Sequence, residues 1–291
     1  MNIKTFTPYR LLLSLGTHRL ADWMSDKTYL SLLYYFRMHR RINWSNPRTY
    51  TEKLQWLKLY DRKTIYNHMV DKELVREYVK NKIGSQYLIP LIGIYNSFND
   101  IDFSTLPNQF ALKCTHGSHC STICFDSSKF DISANKRLFE SWLKHEYYWA
   151  YREWPYKDLI PKILCEELLL GDNGAVPNDY KVFCFNGKAH FIKLDIDRYS
   201  NHHRLFYDVH WNKYPYGWGL IANKEEPRPK LLDEMIKNSE ILASDLPQAR
   251  IDWYISKDRL YFGEITFFDA GGFEKFENLQ KDLYVGSLFK I

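Results

Sequence analysis

The chain has 291 residues, 45% apolar and 26% charged, which excludes a disordered chain and leaves room for one large domain or two modest ones. Its 40 basic and 35 acidic residues give a net charge of +5, a slight excess that suits an anionic substrate but not nucleic acid, whose binders concentrate a basic face. The 5 cysteines contain no CxxC pair, which argues for reduced thiols in a cytoplasmic protein rather than a zinc site, and no run approaches the roughly 20 apolar residues of a membrane span.

Residues 1–69 read as a helical extension with no catalytic constellation. Residues 11–15, LLLSL, are too short for a signal-peptide core. Tyr29, Leu32, Leu33 and Phe36 form one apolar stripe, which ends in the basic group Arg37, His39, Arg40 and Arg41. That group is either a solvated helix end or a contact for an anionic polymer or membrane surface. Thr49 and Glu52 form a capping box that opens the next helix, with Leu54, Trp56 and Leu57. A further helix spans 71–82 and stops at Gly84.

Residues 110–114 read as a buried strand carrying Lys113, followed by the loop 115–122, THGSHCST, and a short strand at 123–125. A lysine on a buried strand beside a Gly–Ser loop has the makings of a phosphate clamp: loop amides hold the oxygens and the ammonium supplies charge. A plain hairpin turn has the same composition. Residues 133–147 form a helix with Leu138, Phe139, Trp142 and Leu143 inward, and the aromatic connection 148–156 leads to 163–168, ILCEEL, a buried strand running into two acids. Residues 179–185 and 189–195 flank Asn186-Gly187, a hairpin signal. Asp195-Ile196-Asp197, Arg198 and His202-His203-Arg204 follow; the two arginines suit carboxylate or phosphate recognition, and the histidines, with His210, are expected in exposed loops rather than on zinc. A Pro-bearing linker at 225–230 and a helix at 231–243 lead into the last constellation.

That constellation is 249–276, ARIDWYISKDRLYFGEITFFDAGGFEKF, which reads as strands 250–255 and 260–266 joined by a polar turn. Side chains alternate along a strand, so Arg250, Asp252 and Tyr254 share one face, and Glu264 and Thr266 share a face of the partner. A three-residue loop would set Asp252 directly across from Glu264. Two acids so placed need a positive charge between them, and oxygen ligands point to Mg²⁺ or Mn²⁺. A surface hairpin with solvated charges is the plainer alternative.

In order, a lysine strand with a glycine loop, a strand ending Glu-Glu-Leu, and Arg-x-Asp followed by Glu-x-Thr resemble the ATP-grasp enzymes. More closely, TEKLQWLKLYDR, DKELVREYV, YLIPLIGIYNSF, FALKCTHGS, ILCEELL, DYKVFCFNGK and the final hairpin resemble the TupA-like ATP-grasp family, named for teichuronopeptide synthesis and found among surface-polysaccharide functions. The resemblance covers roughly 46–276. It implies an α+β ATP-grasp fold, two lobes clasping ATP over 70–291 behind the helical extension, with a smaller lobe at about 85–160 and a larger one at about 161–291.

The resemblance implies roles residue by residue. Lys113 would hold the α and β phosphates, with His116, Gly117 and Ser118 in the loop that closes over them. Lys72 or Arg76 would supply a second cation. Glu166, Glu167 and Leu168 would form the adenine hinge, with Asp179 as the ribose ligand and Lys181 in the nucleotide site. Arg250 would stabilise the transferring phosphoryl group; Asp252, Glu264 and Thr266 would hold the metal. Phosphoryl transfer is mostly positioning and charge neutralisation, so cations and metal-bearing acids must converge on one triphosphate.

Two departures stand out. His119-Cys120 follows the loop where the family is richer in glycine, and Thr266 stands where asparagine is usual. The implied reaction activates a carboxylate as an acyl phosphate for attack by an amine. An anionic saccharide or an amino acid suits it as substrate, and a peripheral contact with a polysaccharide assembly complex suits its setting. Two other functions compete: a glycosyltransferase using Asp195-Ile196-Asp197 as a DxD-like pair, and a non-catalytic scaffold of the same shape.

Overall fold

The computed structural model describes residues 7–171, 174–196, 202–219, 221 and 224–291. In chain order come helices α1 (Pro8–Thr17), α2 (Asp26–Met38), α3 (Tyr50–Tyr60), α4 (Ile65–Val70) and α5 (Val75–Ile83), then strands β1 (Leu91–Tyr95), β2 (Phe110–Cys114) and β3 (Ser121–Cys124). Next are α6 (Ile132–Trp142), α7 (Tyr148–Tyr151), β4 (Ile163–Glu167), β5 (Asp179–Phe185), β6 (Lys188–Ile196) and β7 (His203–Asp208). Helix α8 (Leu232–Leu242), β8 (Gln248–Ser256), β9 (Arg259–Thr266) and α9 (Leu279–Ser287) complete the chain.

The strands form two antiparallel sheets, one ordered β1-β4-β2-β3 and the other β7-β6-β5-β8-β9. β4 pairs with both β1 and β2, so the first sheet extends past 160 to Glu167, and the expected lobe boundary at about 160 falls ahead of one of its inner strands. The helix expected at 71–82 starts later, at Val75, because the Asp71 carboxylate accepts from the amides of Glu73 (2.8 Å) and Leu74 (3.0 Å) and caps the turn ahead of it. Leu32 and Leu138, expected on inner stripes, are exposed.

The second sheet has an apolar face and a charged one. Val182, Cys184, Ile192, Ile251 and Trp253 join Leu232, Met235 and Leu242 of α8 in the main core, where the Trp253 indole donates to Ser239 Oγ at 2.8 Å. The opposite face is covered at one end by aromatic packing of Phe183, Phe185, Trp218, Tyr50 and Phe289. At the other end it is ionic.

The N-terminal helices have a positioning role. The expected capping box is present, with Glu52 N–H donating to Thr49 Oγ1 (3.2 Å) and Thr49 N–H to Glu52 Oε2 (3.1 Å). Helix α9 packs so closely on the start of α3 that a Cβ on Gly286 would lie 2.3 Å from the Arg48 carbonyl; only glycine fits. Tyr29 OH donates to the Ala150 carbonyl (3.0 Å), and buried Arg152 lies 4.4 Å from the Tyr29 ring and 4.5 Å from the Trp149 ring while donating to the Ala21 carbonyl (2.8 Å). The connection 148–156 is thereby pinned to α1 and α2. Among the described residues no helix is long and apolar enough to cross a membrane.

Candidate functional site

The final hairpin brings its two acids together, by a route the residue count does not anticipate. The turn is two residues long, Lys257-Asp258, both at positive φ (50° and 53°), and Ser256 pairs with Arg259. On that register Asp252 would face Gly263. A bulge then sets Gly263 and Glu264 together against Asp252, and beyond it Ile251 pairs with Ile265 and Arg250 with Thr266. The three-residue loop is thus corrected to a two-residue turn plus a bulge. A Cβ on Gly263 would meet the Asp252 carbonyl at 3.1 Å, so the bulge is tight.

Arg250 supplies positive charge between the acids. Its Nε donates to Asp252 Oδ1 (2.6 Å), and its Nη2 donates to Asp252 Oδ2 (2.7 Å) and Glu264 Oε1 (2.9 Å). Its Nη1 donates to Asp269, an acid just past the strand that no motif pointed to. Burial opposes the guanidinium's charge, but Asp252 and Asp269 raise its pKa well above the ordinary value. Thr266 Oγ1 donates to Glu264 Oε1 at 3.1 Å.

The ionic face extends across three more strands, β5, β6 and β7. Cross-strand pairing sets Lys181 opposite both Lys193 and Asp252, and Asp195 opposite both Asp179 and Arg204. Like charges directly opposite are unfavourable, and the lysines resolve this by reaching other acids. Lys181 Nζ lies 3.1 Å from Asp252, 3.4 Å from Asp179 and 3.5 Å from Asp195, while Lys193 Nζ lies 2.8 Å from Asp269. Burial lowers the Lys181 pKa, but Asp252 and Asp179 more than offset it and the net shift is upward. Burial likewise pushes Asp269 up, and Lys193 with Arg250 holds it well below the carboxylate range.

A register shift creates the Lys181–Lys193 pairing. The Asn186-Gly187 turn is present with φ of 48° and 76°, and a bulge between Phe183 and Cys184 then moves the ladder by one residue. Strand β7 was not anticipated, so His203 and Arg204 lie in a strand and not a loop. Asp195 accepts from His202 Nε2 (2.9 Å) and is paired with Lys181 and with Arg204 Nε (3.3 Å). Arg204 also reaches Glu274 (3.1 Å). Asp195 is therefore engaged within the protein, while Asp197 and Arg198 lie outside the described residues. No cluster of three or more His, Cys, Asp or Glu suited to a metal occurs among the described residues.

Lys72 joins the two sheets' contributions. Its Nζ donates to the Gly117 carbonyl at 2.6 Å, at the loop between β2 and β3, and lies 3.8 Å from Glu264 Oε2. Arg76 instead donates to the Ile89 carbonyl (2.9 Å) and feels the charge of Glu166. Of the two expected cations, Lys72 is the one at the loop. Burial raises the Glu264 pKa, but Lys72, Arg250 and Lys181 together bring it down to about 2. The Glu264 side chain remains about one third (32%) exposed.

Lys113 forms an ion pair with Glu166 across β2 and β4, with Glu167 exposed beside it and Leu168 half-buried at the strand end. The loop proper is 115–120, shorter than expected because β3 begins at Ser121. Its Gly117 backbone is buried and Ser118 half-buried, whereas the His116 ring is buried with Nε2 3.2 Å from the Trp142 carbonyl of α6. Besides Asp269 and Lys193, sequence reasoning missed Glu153, Tyr147 and Tyr156, whose electrostatics couple to Glu264. The only signal was the aromatic density of the connection.

Among known proteins, no curated sequence matches this chain. Among solved structures, it is similar to a D-alanine–D-alanine ligase from Helicobacter pylori (16% identity, TM-score 0.47, covering 82% of this chain and 69% of that one). It is also similar to the ADP complex of purK, N5-carboxyaminoimidazole ribonucleotide synthetase (12%, 0.47, 84% and 57%), and to a D-alanine–D-alanine ligase from Bacillus anthracis (15%, 0.41, 68% and 57%). The chain spans less than two thirds of the length of those last two proteins. A family profile described as TupA-like ATPgrasp matches residues 52–290, the whole of both sheets and the charged face between β5 and β9. The chain belongs to the TupA-like ATP-grasp family.

Proposed function

We propose that this protein is an ATP- and magnesium-dependent ligase that joins a carboxylate to an amine through an acyl phosphate, in the making of a cell-surface polysaccharide. One observation carries the reading: Lys72 links the β2–β3 loop to the Arg250–Asp252–Glu264 cluster, so loop, cations and acids converge on one place. A triphosphate needs that convergence, because its transfer is governed by positioning and charge neutralisation. Lys113 and Lys72 would hold phosphate oxygens, with the 115–120 loop above them. The β4 end, Glu166 to Leu168, would receive adenine, and Asp179 with Lys181 would lie towards the ribose side.

The donor set fits magnesium. Asp252, Glu264 and Thr266 offer oxygen only, and Mg²⁺ is commonly bound by one or two carboxylates together with substrate phosphates and water. Asp252 and Glu264 would hold it, and once bound it would neutralise triphosphate charge. Arg250 would face the transferring group. The amine-side and carboxylate-side substrates are proposed as an amino acid or an anionic saccharide, with Arg204 at the edge of the face towards the saccharide.

The test is ADP release by the purified protein across amino acids and uronic-acid saccharides, with nucleotide-sugar hydrolysis followed in parallel. Asp252→Asn and Glu264→Gln are expected to abolish magnesium-dependent ATP turnover, while Asp195→Asn keeps most of it. The reverse pattern, or full activity in Lys113→Ala, would refute the ligase reading in favour of sugar transfer. Absence of magnesium-dependent ATP binding by calorimetry would leave only a scaffold.

A further inference from the structure

Among the described residues, one buried acid near the charged face has no ion-pair partner. Asp252, Asp269, Asp195 and Asp179 each have a cation within 4 Å, and so do Glu264 and Glu166. Glu153 makes no such pair among the described residues, although it is only 2% exposed and its Oε1 has no hydrogen-bond partner. The basic groups near it are already committed. Lys58 spends its three N–H bonds on Gln55 Oε1 (2.9 Å), the Tyr151 carbonyl (2.9 Å) and the Gly271 carbonyl (2.6 Å). Arg250 places four of its five N–H donors on Asp252, Glu264 and Asp269. A buried carboxylate without a counter-charge is costly, and either protonation or an arriving cation relieves that cost.

The position of Glu153 points to the cation. The residue is held in place because its neighbour Arg152, at φ 52°, is locked between the Tyr29 ring of α2 and the Trp149 ring of its own connection. Its charge is felt by, and feels, Lys58 from α3, Arg250 from β8, Glu264 from β9 and Asp269 beyond it, with Tyr147 and Tyr156 (ring centroids 4.6 Å apart) flanking it in sequence. It therefore lies within electrostatic reach of the groups assigned to the transferring phosphoryl, the region an acceptor would approach.

We propose that Glu153 is the acceptor-binding residue of this ligase, the carboxylate that receives the primary ammonium group of the attacking amine. The proposal rests on the ligase reading above. The ammonium supplies the missing cation, and Glu153 then takes its first proton. The freed amine attacks the acyl carbon, the C–N bond forms as the bond from carbon to the phosphate oxygen breaks, and the departing phosphate carries off the second proton. Burial, opposed by Lys58 and Arg250, raises the Glu153 pKa to about 7, which suits a proton acceptor near neutral pH.

The test uses the full chain loaded with magnesium and a non-hydrolysable ATP analogue, titrated by calorimetry with glucosamine, glycinamide and methylammonium, each against its uncharged N-acetyl counterpart. At least one ammonium probe is expected to bind about ten-fold tighter than its counterpart. Glu153→Gln is expected to remove that preference and Glu153→Asp to keep part of it, with nucleotide affinity unchanged in both. Equal binding of charged and uncharged probes by the wild type overturns the proposal. So does loss of nucleotide affinity in Glu153→Gln, which would make the residue a metal ligand, or an equal fall in melting temperature in both variants, which would make it structural. Failure of the wild type to bind the nucleotide with magnesium would instead refute the ligase reading.

Discussion

Two groups of buried charges lie close together in this protein and follow opposite rules. On the charged face of the second sheet, Lys181, Lys193 and Arg250 meet Asp179, Asp195, Asp252, Asp269 and Glu264 in direct ion pairs. At the corner between α3 and the 148–156 connection, Lys58 and Glu153 share no hydrogen bond and are both displaced towards neutrality: burial brings the lysine down to about 7 and the glutamate up to about 7. The difference is one of direct contact. Direct contact favours the charged forms of Lys181, Arg250 and Asp269, although burial still lowers the Lys193 pKa, whereas charges that feel each other only at a distance give way to desolvation.

The comparison can be broken most severely at Arg250. Arg250→Met strips three acids of their shared cation and should cost about 3–5 kcal/mol of stability, read by thermal unfolding. On the proposed ligase reading, in which Arg250 faces the transferring phosphoryl group, ATP turnover should fall about 100- to 1,000-fold. A melting temperature close to wild type would mean that the guanidinium does not hold this face together. Lys181→Met should cost less, about 2–3 kcal/mol, because Asp252 keeps Arg250 and Asp195 keeps Arg204.

A pH series sharpens the contrast between the two groups. The folded-state pKa of Glu153 lies above its ordinary 4.5, so folded protein holds more protons than unfolded between 4.5 and about 7, and this group's contribution falls as pH rises through that window. Lys58 releases its proton at about 7 when folded but only near 10.5 when unfolded, so its contribution grows as pH rises from about 7. The corner therefore gives a stability minimum near neutrality, with limbs no steeper than about 1.4 kcal/mol per pH unit. Glu264 is opposite in sign: its pKa is depressed to about 2, so its contribution is present above 4.5 and is lost as pH falls towards 2. Chemical unfolding from pH 4 to 9 should show a shallower acidic limb for Glu153→Gln than for the wild type; identical limbs would remove the corner as the cause. The smallest effect is expected at Thr266, where Thr266→Val deletes one hydrogen bond to a part-exposed acid and should cost less than about 1 kcal/mol.

Much of the geometry of the candidate site is legible in the residues, for a physical reason. Lys113, the Glu166-Glu167 strand end and the Arg250–Glu264 hairpin lie on strands, where alternation assigns faces without knowledge of the tertiary fold. What was missed depends on register or on distant packing. Lys193 meets the ionic face only because a bulge moves β6 by one residue, and β7 is concealed by its polar start, His203-Arg204, although Leu205, Phe206 and Tyr207 are all buried. Asp269 and Glu153 lie in irregular segments. The path of the second is set by Tyr29 and Arg152, across more than 100 residues of chain, and no local pattern encodes that.

The bulge at Gly263 also makes the spacing of the two acids a matter of parity. Adding or removing one residue between Asp252 and Glu264 exchanges the faces they present, while changing the length by two leaves both on the same side. A relative whose ladder runs straight from the same two-residue turn would have to carry its second acid one position nearer the turn. For a fixed two-residue turn, the number of residues separating the pair then records how many bulges the hairpin contains.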